Sequence, residues 1–233
     1  MPAALVIGNS DGIGLSLTTL LLEEGWQVTG VSRSSSRITQ QRYEHHVLDV
    51  CDAEYASRLA EVVARTGDLA ACIYCAGIGE FLDLETLAAE RRVFETNLLG
   101  AVATAQVVIP AMLRARRGHF IGLSSQADGL LDPRAPSYAA SKAGLTSYLE
   151  GLALACRPRG VFVTNLRLGF VDTKMAKAPV RPFMLSPVEA ARRIQHCIRR
   201  RPIRDTYPLR MAVLLWFLRL GQSARRWLAD AWR

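Results

Sequence analysis

The sequence predicts a single α/β domain in which one doubly wound parallel sheet is covered by helices on both faces. Short apolar runs of strand length alternate with segments of helical period, which is the pattern of β-α-β units. Most of these strands are apolar on both faces, as strands are when helices cover each side of a sheet. A glycine-rich turn joins the first strand to the first helix. In such folds, ligands bind outside the carboxyl ends of the strands.

The individual elements follow from the apolar pattern and from residues that begin helices. Asp52 is the expected N-cap of the second helix, and Pro187 fits the first turn of the last one. The strands are expected at residues 3–7, 26–31, 47–48, 69–75, 118–124 and 161–168. The helices are expected at residues 13–24, 52–66, 87–96, 99–116, 135–156 and 187–200. No linker interrupts them, so residues 1–206 are predicted to form one domain.

Length and composition agree with this prediction. The chain has 233 residues, 50% of them hydrophobic, which is enough for one full-sized core. The first apolar run is too short for a signal peptide, and the longest, residues 211–218, is far below the roughly 18–20 residues of a membrane-spanning helix. We therefore expect a cytoplasmic protein. Its five cysteines, scattered through apolar segments, do not suggest a disulfide framework.

The net charge of +8 is concentrated near the C-terminus. Residues 192–233 contain eleven arginines and two aspartates, a balance of +9, so residues 1–191 carry −1. This distribution argues against a general nucleic-acid-binding surface. The four histidines form no HExxH motif or Ser/His/Asp arrangement, so we predict neither a metal site nor hydrolase chemistry.

Residues 207–233 are predicted to form a C-terminal helical tail that is both apolar and basic. Residues 211–218 are apolar all round, with arginines on either side, and Trp216, Trp227 and Trp232 are spread through the tail. Two interpretations stay open. The tail either packs on the domain or on a partner subunit, or it lies on an anionic membrane surface with its arginines among the lipid headgroups.

The first β-α turn, residues 8–14, has the spacing GxxxGxG. Glycines let the backbone approach a pyrophosphate, and the dipole and free N–H groups of a helix N-terminus favour an anion. An ordinary tight turn is the alternative. The residues expected to bind a nucleotide here are Gly8, Ser10, Gly12, Ile13 and Gly14. Asp11 would repel a pyrophosphate, so we expect its side chain to point into solvent.

The end of the second strand predicts the type of dinucleotide. NAD-binding enzymes usually place an acid here for the adenosine ribose, yet no Asp or Glu lies between Gly25 and Tyr43. Arg33 could instead pair with a 2′-phosphate, although it could also be an ordinary solvated arginine. The sequence therefore favours NADP(H). Asp49 and Val50 follow the third strand, where Asp49 is either a contact to the adenine amino group or a helix-entry aspartate.

Tyr138 and Lys142 lie four residues apart at the start of a long predicted helix, so their side chains share one face. A phenol with a pKa of about 10 is a poor acid at neutral pH, but a neighbouring cation stabilises the phenolate. Lysine is rare in this arginine-rich chain. Ser125 follows the preceding strand, and Asn97 lies in a helical region, where asparagine is mildly unfavourable.

Together these motifs resemble those of the short-chain dehydrogenase/reductase family, which has a Rossmann-like fold. The resemblance covers residues 3–200, in the family's order. Its motifs are GxxxGxG, Ala76-Gly77 after the fourth strand, Asn97 in a helix, Ser124-Ser125, the YxxxK of Tyr138 and Lys142, and Gly169 to Thr173 with Val171.

The resemblance implies a role for each residue. Tyr138 would be the general acid/base, Lys142 would bind the nicotinamide ribose and lower the pKa of Tyr138, and Ser125 would hydrogen-bond the substrate carbonyl. Asn97 would hold a water in a proton relay. The further cofactor contacts would be Arg33, Asp49, Val50, Ala76, Gly77, Val171 and Thr173. Family members are commonly homodimers or homotetramers.

The chain also departs from the family pattern. Ile7, Tyr74-Cys75 and Leu168 replace residues that support turns, and Asp128 stands where glycine is usual, near the expected substrate pocket. The apolar segment 174–186 suits a hydrophobic carbonyl or alcohol substrate of moderate size. We therefore expect an NADP(H)-dependent oxidoreductase; the alternatives are an NADPH-binding sensor without turnover and a membrane scaffold.

Overall fold

A computed structural model of the protein describes residues 1–176 and 180–219. Seven parallel strands form one sheet in the order β3-β2-β1-β4-β5-β6-β7. They are β1 (Ala3–Ile7), β2 (Gln27–Ser32), β3 (Tyr43–Val47), β4 (Leu69–Tyr74), β5 (His119–Ser125), β6 (Phe162–Leu168) and β7 (Arg204–Tyr207). From β1 the strand order runs outward to β2 and β3, and from β4 it runs the opposite way to β5, β6 and β7. The crevice for a ligand therefore lies at the carboxyl ends of β1 and β4.

The helices follow the predicted β-α alternation. They are α1 (Gly12–Glu23), α2 (Tyr55–Thr66), α3 (Glu90–Phe94), α4 (Gly100–Ala115), α5 (Pro136–Cys156) and α6 (Pro187–Arg200). Residues 209–219 are also helical and are called α7. A π-helical turn (Glu95–Leu99) joins α3 to α4, and short 3₁₀ turns follow β5 (Gln126–Gly129) and α5 (Arg157–Arg159).

Two apolar clusters cover the two faces of the sheet, which confirms the doubly wound α/β prediction. Successive side chains of a strand point to opposite faces. Leu5 and Ile7 of β1 therefore pack in a cluster with α2, α4 and α5. Ala4 and Val6 pack on the other face, in a cluster with α1 and α6.

The helical run Glu90–Ala115 is long and apolar enough to cross a membrane, and it is the one such run within residues 1–176 and 180–219. One face of this run is buried in the protein core, with Val93, Val108 and Met112 almost inaccessible to solvent. Its neighbours there are α2 and α5. Packing in the core therefore explains why it is apolar.

Several element boundaries differ from the prediction. The third strand is Tyr43–Val47, not residues 47–48, and β7 was not predicted at all. Both are edge strands whose residues are mostly polar and partly exposed, so they lack the apolar run of a central strand. α2 begins at Tyr55. The backbone carbonyl oxygen of Asp52 accepts a hydrogen bond from the Tyr55 amide in the preceding turn, so Asp52 does not cap the helix. The two helices expected at 87–96 and 99–116 form one continuous run.

Candidate active site

Two glycines of the turn after β1, Gly8 and Gly14, lie so close to neighbouring backbone atoms that no side chain would fit there. Gly8 has φ +85°, and a Cβ there would lie 2.6 Å from the Ala76 backbone nitrogen. A Cβ on Gly14 would lie 2.2 Å from the Gly8 carbonyl oxygen. The turn after β1 therefore runs against the end of β4, and the first turn of α1 contains no acidic residue. Such a cradle at a helix N-terminus fits a dinucleotide pyrophosphate.

Asp11 is exposed, as expected, but its carboxylate has two partners. It accepts the Gly12 amide at 2.8 Å, which makes it the N-cap of α1, and it pairs with Lys174 Nζ at 2.6 Å. Both contacts lower its pKa, with the Lys174 hydrogen bond the larger cause. The charge on Asp11 is thus largely offset beside the anion site.

Asn9 of the same turn was missed by the sequence analysis. Its amide nitrogen donates to Tyr43 Oη at 2.6 Å, and its side chain packs where Gly30 has no Cβ. Its buried carbonyl oxygen has no hydrogen-bond partner among residues 1–176 and 180–219. A buried acceptor of this kind is suited to a ligand hydroxyl or amide. The signal available in the sequence was an amide side chain inside a glycine turn.

The residues predicted at the adenosine end lie where β2 and β3 end. Arg33 follows β2 with its side chain exposed, next to the buried Ser32. Asp49 follows β3, and its carboxylate accepts from Arg92 Nη2 at 2.5 Å and from the Cys51 amide at 3.0 Å. Arg92 was not predicted. The Asp49 carboxylate therefore holds the turn after β3 and pairs with Arg92, and Val50 packs beside it on the core.

Tyr138, Lys142 and Ser125 converge at the carboxyl end of β5. Lys142 lies one turn after Tyr138 on α5, with its Nζ 5.9 Å from the centre of the phenol ring. Ser125 ends β5 close to Tyr138, where its hydroxyl lowers the pKa of the phenol in part. The Lys142 ammonium is buried and donates to the Leu123 carbonyl oxygen at 2.8 Å.

Asn97 lies in the π-helical turn and clamps the loop after β4. Its Oδ1 accepts the Ile78 amide at 2.8 Å, and its Nδ2 donates to the Ile78 carbonyl at 2.9 Å and to Ser141 Oγ at 3.1 Å. Gly77 lies beside this clamp, because a Cβ there would be 3.3 Å from Asn97 Oδ1 and 3.6 Å from Lys142 Nζ. π-Turns within helices frequently mark functional sites.

The two titratable groups are both shifted by burial. Burial raises the pKa of Tyr138, and the hydrogen bond from Ser125 lowers it in part. Burial also lowers the pKa of Lys142 to about 8. In the protein alone, loss of solvent around the phenol outweighs the effect of Ser125, and the lowering of the Tyr138 pKa by Lys142 stays a prediction.

Thr173 and Val171 lie in the loop after β6, facing the glycine turn. A Cβ on Gly12 would lie 3.1 Å from Thr173 Cγ2, and Val171 pairs with Leu185 in an isolated bridge. Met175 follows, with its side chain against the loop after β4, near Gly77. The segment 174–186 expected to cover the substrate thus begins beside the site; its residues 177–179 lie outside the described part of the chain.

Asp128, in the turn after Ser125, has protein side chains around its carboxylate. Its buried carboxylate accepts from Arg167 Nε at 2.7 Å and Nη2 at 2.5 Å, from Thr146 Oγ1 at 2.9 Å and from Arg219 Nη2 at 3.0 Å. The cluster ties α7 to the 3₁₀ turn after Ser125. Because its partners are 18 to 91 residues away in sequence, local patterns could not reveal it.

Comparison with known proteins identifies the family. A family model described as short chain dehydrogenase matches residues 2–181. An uncharacterized oxidoreductase of Myxococcus xanthus is 32% identical over 227 residues, covering 90% of this chain and 88% of the relative. A 3-oxoacyl-[acyl-carrier-protein] reductase, FabG, of Staphylococcus aureus is 31% identical and covers 82% of this chain and 84% of its own.

Solved structures show the same fold. A short-chain dehydrogenase from Streptomyces avermitilis superposes with a TM-score of 0.82 at 22% identity, covering 100% of this chain and 99% of that chain. A ligand-free aldohexose dehydrogenase of Thermoplasma acidophilum has a TM-score of 0.77 at 19% identity, covering 88% and 92%. By its sequence, this chain belongs to the short chain dehydrogenase family of oxidoreductases, whose cofactor is a nicotinamide dinucleotide.

Proposed function

We propose that the protein is an NADP(H)-dependent oxidoreductase that interconverts a carbonyl and an alcohol, with Tyr138 as general acid/base. The observation that carries the proposal is the convergence of Tyr138, Ser125 and Lys142 beside a turn built to hold a pyrophosphate. An apolar carbonyl or alcohol is the proposed substrate, because exposed Phe183 and Met184 follow the site on the segment after β6.

The described residues fit a dinucleotide lying along the carboxyl ends of the strands. In this proposal Gly8, Ser10, Gly12, Ile13 and Gly14 hold the pyrophosphate. Arg33 takes the 2′-phosphate, and the adenine lies near Asp49 and Val50. Ala76, Gly77, Val171 and Thr173 surround the nicotinamide half. When bound, the nicotinamide ring supplies or accepts the hydride.

The protein side chains handle the proton. During reduction, Tyr138 Oη donates its proton to the carbonyl oxygen as the hydride reaches the carbonyl carbon, which leaves a phenolate. The Ser125 hydroxyl donates a hydrogen bond to the same substrate oxygen. The Lys142 ammonium, which is still largely charged at neutral pH, stabilises the phenolate until solvent restores the proton. Oxidation runs through the same groups in reverse.

The geometry changes the role proposed for Asn97. Both hydrogens of its Nδ2 already have acceptors, and Oδ1 accepts the Ile78 amide. Within the side chain, only a second lone pair of Oδ1 is left for a water. We therefore assign Asn97 the task of holding the loop after β4, with Gly77, in place beside the nicotinamide half.

The first prediction tests the acid/base. Tyr138→Phe should lower kcat by about 10²–10⁴-fold, because the ring is kept and only the transferable proton is lost. Turnover is measured as NADPH absorbance with a panel of ketones and aldehydes. The panel includes a 3-oxoacyl thioester, because one relative is named a 3-oxoacyl-[acyl-carrier-protein] reductase. NADPH affinity, measured by calorimetry, should be unchanged.

Tyr148→Phe is the matched control, since Tyr148 is a half-buried tyrosine on the same helix. It should turn over like the parent protein. Equal activity of the Tyr138→Phe and parent proteins would remove Tyr138 from the mechanism. Absence of turnover by the parent over the whole panel, with NADPH still bound, would favour a sensor.

The second prediction tests the cofactor preference. Arg33→Ala should weaken NADPH binding by roughly 10- to 100-fold, the worth of a charge-assisted hydrogen bond to phosphate, and leave NADH binding within about twofold. Arg58→Ala, at an exposed position on α2, is the control and should change neither. An equal loss of affinity for NADPH and NADH would mean that Arg33 does not bind the 2′-phosphate.

We also propose a cytoplasmic setting and a homodimer or homotetramer. All five cysteines are free, which suits a reducing compartment. Sedimentation equilibrium of the purified chain would give its oligomeric state.

A further inference from the structure

The outer face of α7 is apolar and exposed. Leu209, Val213, Trp216 and Phe217 are spaced so that they lie on one side of the helix, and they are 70%, 57%, 56% and 61% exposed. The Trp216 and Phe217 rings pack edge to face, 5.0 Å apart. Contiguous apolar surface of this kind usually marks an interaction site.

The inner face of α7 is fixed to the protein. Met211 and Leu215 are each 5% exposed, and Met211 lies beside Gly169. Arg219 donates to the Gln126 carbonyl at 3.2 Å and to Asp128, and Gln126 donates to the Pro208 carbonyl. The outer face is therefore held rigidly next to the turn that follows Ser125.

Positive charge accompanies this face. Arg210 of α7 is exposed, and its guanidinium lies 4.5 Å from the centre of the Phe183 ring, which extends the apolar surface. Residues 192–233 carry +9, against −1 for the rest of the chain. Two copies meeting through this face would bring their exposed Arg210 guanidinium groups together, which disfavours self-association.

We propose that the outer face of α7 docks on an anionic lipid bilayer. A single convex helix with aromatic and aliphatic side chains suits insertion into the headgroup region, while nearby arginines attract anionic lipid. A protein partner would need a groove that matches the ridge. The helix would lie in the plane of the interface, with the turn that follows Ser125 on its protein side.

The bilayer would deliver an amphiphilic carbonyl or alcohol to the site. This second step depends on the proposed function, because it uses the position of α7 beside Ser125. Docking on the bilayer does not depend on the proposed function, because vesicle binding is measured without cofactor or turnover.

Co-sedimentation of the full chain with vesicles tests the proposal. Binding to dioleoyl phosphatidylglycerol vesicles should exceed binding to dioleoyl phosphatidylcholine vesicles by at least about tenfold and weaken as salt is added. The double substitution Trp216→Ser and Phe217→Ser should lower binding to the anionic vesicles by at least about tenfold, because it removes two inserting rings. Its turnover of a water-soluble ketone should be unchanged.

The matched control is the double substitution Leu84→Ser and Leu154→Ser, which removes exposed leucines on other surfaces and should leave vesicle binding intact. Equal binding to the two lipids, or loss of binding in both double variants, would overturn the proposal. Absence of vesicle binding by the parent, with a fall in oligomer mass only in the α7 variant, would identify the face as a subunit contact.

Discussion

At the scale of single residues, the site contains an ammonium group that the fold buries. Lys142 is 4% exposed, and its hydrogen bond to the Leu123 carbonyl oxygen only partly replaces its hydration. Burial therefore lowers its pKa from 10.5 to about 8. This unfavourable charge lies beside Tyr138. A strongly shifted pKa of a buried group next to another titratable group is typical of a residue that takes part in catalysis.

The third prediction follows from that pKa. Below pH 8, Lys142 is charged in both the folded and unfolded states, and the folded state bears the full desolvation cost. Between pH 8 and 10.5 the folded state loses its proton first, so the stability of the parent rises with pH. Lys142→Met should therefore raise the free energy of unfolding at pH 7 by about 1–3 kcal/mol, with turnover lost.

Urea denaturation at pH 7 and pH 10 measures this difference, and the advantage of the variant should shrink at the higher pH. Lys174→Met, at a side chain that is 91% exposed, is the control and should show no gain. A destabilised Lys142→Met protein at pH 7 would mean that the charge is well compensated where it lies.

Residues with roles set by local spacing could be predicted from the sequence. The glycine turn and the Tyr138–Lys142 pair are examples, because strand and helix geometry alone places their groups. The partners of Asn97 and Asp49 could not be predicted. Ile78 and Ser141 are 19 and 44 residues from Asn97, and only the folded chain brings them together.

At the scale of elements, the π-helical turn lies where two helices were expected and one continuous run exists. Asn97, which is mildly unfavourable in an ordinary helix, lies in this π-helical turn. The structure widens one turn there, and Tyr74 Oη donates to the Thr96 carbonyl at 2.6 Å. The predicted position of β3 was wrong and β7 was not predicted. An edge strand pairs with a neighbour on one side only, so it needs few apolar residues to form.

The fourth prediction concerns the connection between α7 and the sheet. Asp128→Asn removes the charge from a carboxylate that is 6% exposed and leaves the buried Arg167 guanidinium without a counterion. We expect the free energy of unfolding to fall by about 3–5 kcal/mol. Asp132→Asn, in an exposed pair with Arg134, should cost less than about 1 kcal/mol. Similar losses in the two variants would show that burial does not distinguish these pairs.

At the scale of the whole molecule, the separation into a domain of residues 1–206 and a tail of residues 207–233 stays a prediction. β7 begins within the first part and ends at Tyr207, and α7 packs directly on the sheet side of the turn after β5. Residues 220–233 of the tail lie outside the described part of the chain. The described residues of the tail are therefore continuous with the domain.

The fifth prediction compares two truncations. A chain that ends after Arg219 keeps all seven strands and the described contacts of residues 209–219, and it is the reference. Ending it after Tyr207 exposes the surface under Met211 and Leu215 and removes Arg219 from Asp128. Burying two such apolar side chains is worth roughly 3–6 kcal/mol, so the shorter chain should lose about that amount in urea denaturation, in a single transition. If the shorter chain unfolds like the reference, the contacts of Met211, Leu215 and Arg219 add nothing to the stability of the fold.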